Sequence, residues 1–163
     1  VAGIPIYETP IRPEWIDYNG HLQDAYFALI ASKATDALMD RVGLDAAYRA
    51  RTGCTLYTVE MHLHFLHEVK GTDTAAVDVR LLGADQKRIH ATFEILRAGQ
   101  ADVAATAEIM LLHVHQEQAG IRTAPFPPEV AARLAELMAA SARLAADGPG
   151  SRRMELRAPR SAT

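Results

Sequence analysis

The sequence predicts an α+β domain: an antiparallel sheet wrapped around one long central helix, with an extra helix at the C-terminal end. Three observations carry this. A stretch of helical periodicity over residues 22–42 is followed by four stretches of period-two alternation. The turns between the later stretches are short, which makes those strands antiparallel neighbours in a meander. A final helical stretch opens at Pro127-Pro128, where proline suits the first turn. A chain of 163 residues has room for a single hydrophobic core. Residues 1–147 are expected to form that domain. Residues 148–163 carry four arginines and little to bury, which predicts a flexible tail.

The first element is a strand over residues 4–12, with Pro10 placing it at an edge or a bulge. A loop over residues 13–20 leads into the long helix. There Leu22, Tyr26, Leu29, Ala37 and Leu38 keep helical spacing, and Gly43 provides the stop. Ala25, Ala28, Ala31, Ala34 and Ala37 form a small-residue stripe, which predicts close approach to the sheet. Over residues 55–65 the odd positions Thr55, Tyr57, Val59, Met61, Leu63 and Phe65 form one face and the even positions a largely polar one. The next strand, residues 74–82, turns Ala75, Val77, Val79 and Leu81 inward, with Asp78 and Arg80 on its polar face. After a turn at residues 83–87, residues 88–96 repeat the pattern with Ile89, Ala91, Phe93 and Ile95. Residues 102–115 form the last long strand. The closing helix, to about residue 146, has Val130, Leu134, Leu137, Met138 and Leu144 as apolar positions and ends at Gly148-Pro149-Gly150.

Composition removes several classes. Hydrophobic residues are 49% and charged residues 23%, which is globular. A net charge of −3 gives no footprint for nucleic acid. The longest apolar run, Ala25 to Ala31, falls far short of the ~20 residues of a membrane span. The first five residues lack a basic segment, so no secretory signal is expected. One cysteine, Cys54, forms no internal disulfide, and the expected compartment is reducing and cytoplasmic. Four serines, none in G-x-S-x-G, argue against a serine hydrolase. No phosphate-cradling glycine loop is present, so no cofactor is implied. His62, His64 and His67, like His113 and His115, read as polar-face histidines rather than a metal set.

The segment Asp17-Tyr18-Asn19-Gly20-His21 precedes the long helix. The first N–H groups of a helix lack internal partners and lie at its positive end. A carbonyl oxygen placed there gains an oxyanion hole, in which one donor contributes about 2.7–4 kcal/mol. Asp17 can attack the carbonyl or activate a water, Asn19 can orient either, and His21 can move a proton or hold Asp17. Backbone N–H groups near His21 and Leu22 are the expected donors, and Gly20 admits close approach of a ligand. The same residue types also make ordinary caps and turns. On spacing alone both readings stand.

Trp15-Ile16-Asp17-Tyr18-Asn19-Gly20-His21-Leu22, followed by Tyr26, resembles the signature of hotdog-fold acyl-CoA thioesterases of the 4-hydroxybenzoyl-CoA type. In that family the loop Asp is the catalytic carboxylate, and the site forms where two protomers meet. Ala34 to Leu38, Tyr57-Thr58-Val59-Glu60, Leu82 to Asp85, Lys87 to His90 and Glu108 to Val114 resemble one subgroup, the betainyl-CoA thioesterases of carnitine breakdown. No role for His62 or His64 is carried over. The resemblance implies Asp17, Asn19 and His21 as catalytic residues and an acyl-CoA substrate. It also implies a homodimer or a tetramer. A trimethylammonium acyl group calls for aromatic faces and a carboxylate. Trp15, Tyr18, Tyr26, Tyr57 and Glu60 are the candidates, with Gly20 and Thr58 as further substrate-binding positions. A hotdog hydratase or dehydratase and a non-catalytic acyl-CoA-binding module are the alternatives.

Overall fold

The computed structural model describes residues 3–144. The expected tail and the Gly148-Pro149-Gly150 stop lie outside them. The chain runs β1 (Ile4–Pro10), a single 3-10 turn (Pro13–Trp15), α1 (Asp24–Val42) and α2 (Ala46–Thr52). Then follow β2 (Cys54–Phe65), β3 (Thr74–Ala84), β4 (Arg88–Arg97), β5 (Val103–Glu117), β6 (Gly120–Thr123) and α3 (Pro128–Ala142). The strands form one antiparallel sheet in the order β1-β3-β4-β5-β2, with β6 also on β5. Only β3, β4 and β5 are a meander. β2 pairs with β5 instead of with β3, its neighbour in sequence, because β1 takes the free side of β3. Pro10 accordingly ends an edge strand.

α1 packs on the inner face of this sheet. Its buried side is Phe27, Ile30, Ala31, Ala34, Leu38 and Val42, a clean i+3/i+4 set. That stripe is rotated from the expected one: Leu29 and Ala25 are exposed, and Ala31 and Ala34 alone carry the small-residue contact. The sheet's inner face adds Ala75, Ala91, Ala105 and Ala107 to the same core, all fully buried. Small side chains on both surfaces let helix and sheet approach closely. Gly43 ends α1 at φ +89°, a conformation only glycine adopts without strain.

β2 departs from strict alternation. A bulge between Thr58 and Glu60 shifts its register on β5. Before the bulge Leu56 and Thr58 lie opposite His113 and Leu111. After it Met61, Leu63 and Phe65 lie opposite Ile109, Ala107 and Ala105. The inward set therefore switches from even to odd, and Tyr57 and Val59 leave the face on which alternation had placed them. One extra residue in a strand does this and nothing in the hydrophobic pattern announces it.

β3 and β4 form the expected inner face. On the outer face Asp78, Arg80 and Glu94 are buried rather than solvated. Burial raises the carboxyl pKa of both Asp78 and Glu94. β1 covers the edge of β3 only from Thr74 to Val79. α3 closes the rest, with Ser141 Oγ accepting the Leu81 N–H at 3.0 Å. Strand β3 continues through Gly83 and Ala84, so the hairpin is shorter than expected. Asp85 caps it by accepting from Lys87 N and Arg88 N and pairing with Arg88. First the Arg88 side chain, then these N–H groups, bring its carboxyl down to about 2.

His113 lies in the core, its Nδ1–H donating to the Ala124 carbonyl at 2.9 Å and its Nε2 accepting from Tyr48 Oη at 3.0 Å, as a neutral ring requires. It ties α2 and the segment after β6 to the sheet. Burial lowers its pKa below the ordinary 6.5. The unfolded chain thus binds a proton that the fold refuses, and stability falls as pH drops below about 6.5. Urea unfolding midpoints between pH 7.5 and 5 should show this decline, and His113→Gln should reduce its slope by about one proton. An unchanged slope would contradict a neutral buried His113.

Candidate active site

Residues 16–22 form a tight loop closed by an isolated bridge between Ile16 and Leu22. Asp17 N donates to His21 O at 2.9 Å, and Gly20 N to Asp17 O at 3.0 Å. The Asp17 carboxylate folds back over this turn. Its Oδ1 accepts from Asn19 N at 2.8 Å and from His21 N at 3.1 Å. The His21 N–H is the largest stabilising influence on the anion and the Asn19 backbone and side chain add to it. Together they outweigh partial desolvation and hold the pKa of Asp17 below the ordinary carboxylate value. Asp17 is therefore an anion at neutral pH, fit to attack or to orient water.

Two anchors fix the loop against the rest of the fold. Leu22 N donates to Val69 O at 2.7 Å and Gln23 N to Trp15 O at 3.0 Å. These bonds relocate the expected oxyanion donors. The His21 N–H serves Asp17 and the Leu22 N–H serves Val69, so neither is open to a substrate. The helix begins two residues later than expected, at Asp24. No acceptor for the Asp24 N–H is found among the described residues, as expected for a first-turn donor.

Asp24 lines a groove of about 340 Å³ together with His21, Leu22, Phe27, Phe65 and Glu68. Phe27 and Phe65 meet edge to face at 5.3 Å between centroids. Glu68 Oε2 pairs with His21 Nε2 at 2.8 Å. Phe27, Phe65 and Glu68 were not expected at the site. Their usable signal was local: Asp24 and Phe27 are three apart on one helical face, and Phe65 ends a strand whose following loop carries Glu68.

The expected site residues thus divide. Asp17, Asn19, Gly20 and His21 come together in one turn. Tyr18 projects from its tip, 97% exposed. Trp15 is buried and stacked on Tyr26, with centroids 5.6 Å apart. The Arg12 guanidinium also lies over the Trp15 ring at 5.2 Å. Trp15 lines a separate hollow that contains Arg12 and Lys33, two cations that repel a trimethylammonium group. Thr58 lies opposite inward-facing Leu111. Tyr57 and Glu60 lie on the outer side of the sheet. Tyr57 Oη accepts from Gln116 Nε2 at 2.7 Å. Glu60 pairs with His62 in a hollow shared with His90 and Glu108. The five expected cage residues do not converge within one protomer.

A sheet wrapped around one helix, with an ionised carboxylate in the loop before it, defines a hotdog-fold thioester hydrolase. The chain belongs to the thioesterase-like superfamily, whose family model matches residues 11–134. It is 50% identical over 131 residues to a betainyl-CoA thioesterase of Pseudomonas aeruginosa, covering 80% of this chain and 81% of that protein. It is 38% identical to an L-carnitine dehydrogenase/betainyl-CoA thioesterase of Rhizobium meliloti, covering 89% of this chain and 29% of that longer protein. Among solved structures it resembles a candidate thioesterase from Pseudomonas putida, with a TM-score of 0.82, 39% identity and coverage of 97% and 99% of the two chains. A Staphylococcus aureus protein solved in complex with CoA shares the fold, with a TM-score of 0.78, 22% identity and coverage of 98% of each chain. No helix among the described residues is long and apolar enough to cross a membrane.

Gly20 sits at φ +82° with no atom within 4 Å of where a Cβ would stand. The cost of a side chain there is conformational alone. Gly20→Ala should lower unfolding free energy by about 1–2 kcal/mol. Gly20→Asn should lower it less, since Asn tolerates the left-handed region. Urea titrations of the two variants check the order, and a less stable Asn variant contradicts it.

Proposed function

We propose that this chain hydrolyses betainyl-CoA to the free acid and CoA, with Asp17 as the working carboxylate. The observation that carries the mechanism is the anionic Asp17, bound to the backbone N–H of His21, a residue that lines the same groove as Asp24. The substrate reading draws its support from the 50% identical relative. The thioester carbonyl oxygen takes the Asp24 N–H, at the positive end of α1. Water adds to the carbonyl carbon while Asp17 receives its proton, or Asp17 itself attacks and water later releases the acyl group. In the first route the C–S bond breaks and the proton held by Asp17 passes to the leaving sulfur; in the second the C–S bond breaks as the acyl–Asp17 anhydride forms, CoA leaves as thiolate, and water then cleaves the anhydride, releasing the acid and regenerating Asp17. Asn19 holds Asp17 in position. His21 braces it from the other side through its backbone N–H.

The working unit is a homodimer in this reading. β2 is an edge strand paired only with β5, and Val59 and Phe65 on it are more than half exposed. An open edge with apolar side chains favours a partner strand. A second copy pairing there would shield these apolar side chains and stand beside the groove. A single free cysteine, Cys54, suits a reducing cytoplasm.

Thiol release followed over a panel of acyl-CoAs tests the reading, with betainyl-CoA expected to be the preferred substrate. Asp17→Asn should reduce release by about 10²–10⁴-fold with an unchanged circular dichroism spectrum. A fully active Asp17→Asn protein would overturn the mechanism. Hydration of an enoyl-CoA without thiol release would instead favour a lyase.

A further inference from the structure

The groove at the start of α1 has the chemistry of a cation site. Glu68 and Asp24 bring two carboxylates to it, and none of the residues lining it is Lys or Arg. Asp24 Oδ1 accepts the Ala25 N–H at 2.8 Å, and Glu68 Oε2 pairs with His21 Nε2. Phe27 lines it and is otherwise buried. Phe65, half-exposed, presents its ring beside it. Phenyl rings attract a quaternary ammonium ion through their faces, and a carboxylate at the same wall adds a longer-range attraction. The groove begins at the residue whose N–H is open to a carbonyl oxygen. A betainyl group has its nitrogen two atoms from the carbonyl carbon, so an ester anchored there keeps its cationic end inside the groove that Phe65 and Glu68 also line.

We propose that Glu68, with Phe27 and Phe65, selects a permanently cationic acyl group. This inference rests on the thioesterase reading given above and names different residues from Trp15, Tyr57 and Glu60. Glu68 lies in the connection between β2 and β3, at residues 66–73, which also supplies Val69 O to Leu22 N. The bond that anchors the catalytic loop therefore also places the selecting carboxylate. Its partner His21 and the neighbouring His67 are the basic residues of the groove, beside the two carboxylates. No hydrogen-bond donor on a trimethylammonium group is needed, because the attraction is to charge alone.

The test compares betainyl-CoA with 3,3-dimethylbutanoyl-CoA, a neutral isostere in which carbon replaces the nitrogen. The quantity read is the ratio of kcat/KM for the two esters. The wild-type protein is expected to favour the cation. Glu68→Gln keeps the shape and an acceptor for His21 but removes the charge, and should lower the ratio about tenfold. Phe65→Leu, which removes the aromatic face, should lower it as well. Glu68 is more than half exposed, so both forms should fold, and a thermal melt checks this. A Glu68→Gln ratio equal to that of a cation-preferring wild type overturns the role of Glu68 and leaves the betainyl-CoA reading standing. A wild type that shows no preference overturns both.

Discussion

The carboxylate of Asp17 is held by the backbone that follows it, and the geometry of the site depends on that hold. Oδ1 takes the N–H groups of Asn19 and His21, which closes the turn and keeps the group ionised. Closing the turn consumes the His21 N–H. The Val69 carbonyl consumes the next one, at Leu22, and Trp15 O the one after it, at Gln23. After these three donors the next along the chain is the first residue of the helix proper, Asp24. A single loop thus holds the anion, occupies the donors from Asn19 to Gln23 and leaves the Asp24 N–H at the start of α1. The dipole of a 19-residue helix reinforces that donor.

The rest of the fold serves to keep this loop against the groove. Fully buried small residues on both elements, Ala31 and Ala34 on α1 and Ala75, Ala91, Ala105 and Ala107 on the sheet, seat α1 on the sheet. The connection after β2 reaches back to the loop through Val69 and Glu68. α3 closes the part of β3 that β1 leaves bare. The hairpin at Asp85 and the core pairing of His113 with Tyr48 place the segments 82–85, 87–90 and 108–114 away from the site. They are turn and core chemistry.

Much of this was legible from residues alone where the determinants are local. Helical spacing over α1, the alternation of β3 and β4, and the Asp-x-Asn-Gly turn all depend on neighbours within a few positions. The turn was legible as a site because its chemistry and its conformation use the same residues. What was not legible depends on tertiary placement. The bulge at Val59 moved Tyr57 to the outer face without altering the hydrophobic pattern. The rotation of α1 buried Phe27 and exposed Leu29, which no count of apolar positions distinguishes. α2 and β6, at seven and four residues, are too short for periodicity, although Asp45 capping Tyr48 N was a usable sign. Asp78 and Arg80 sit on the polar face as expected, yet the fold buries them. The aromatic residues near Asp17 in sequence turned out to include Trp15, which is committed to Tyr26 and Arg12. The aromatic pair at the groove joins α1 to the end of β2, and the local signals of Phe27 and Phe65 do not by themselves bring the two together.

The most direct measurement is a crystal structure with a ketone analogue of betainyl-CoA, in which a methylene replaces the thioester sulfur. The analogue carbonyl oxygen should lie about 2.7–3.1 Å from Asp24 N, with the Asp17 carboxylate beside the carbonyl carbon and the trimethylammonium group against Phe65 and Glu68. A carbonyl bound elsewhere, with the Asp24 N–H left to solvent, would contradict the account.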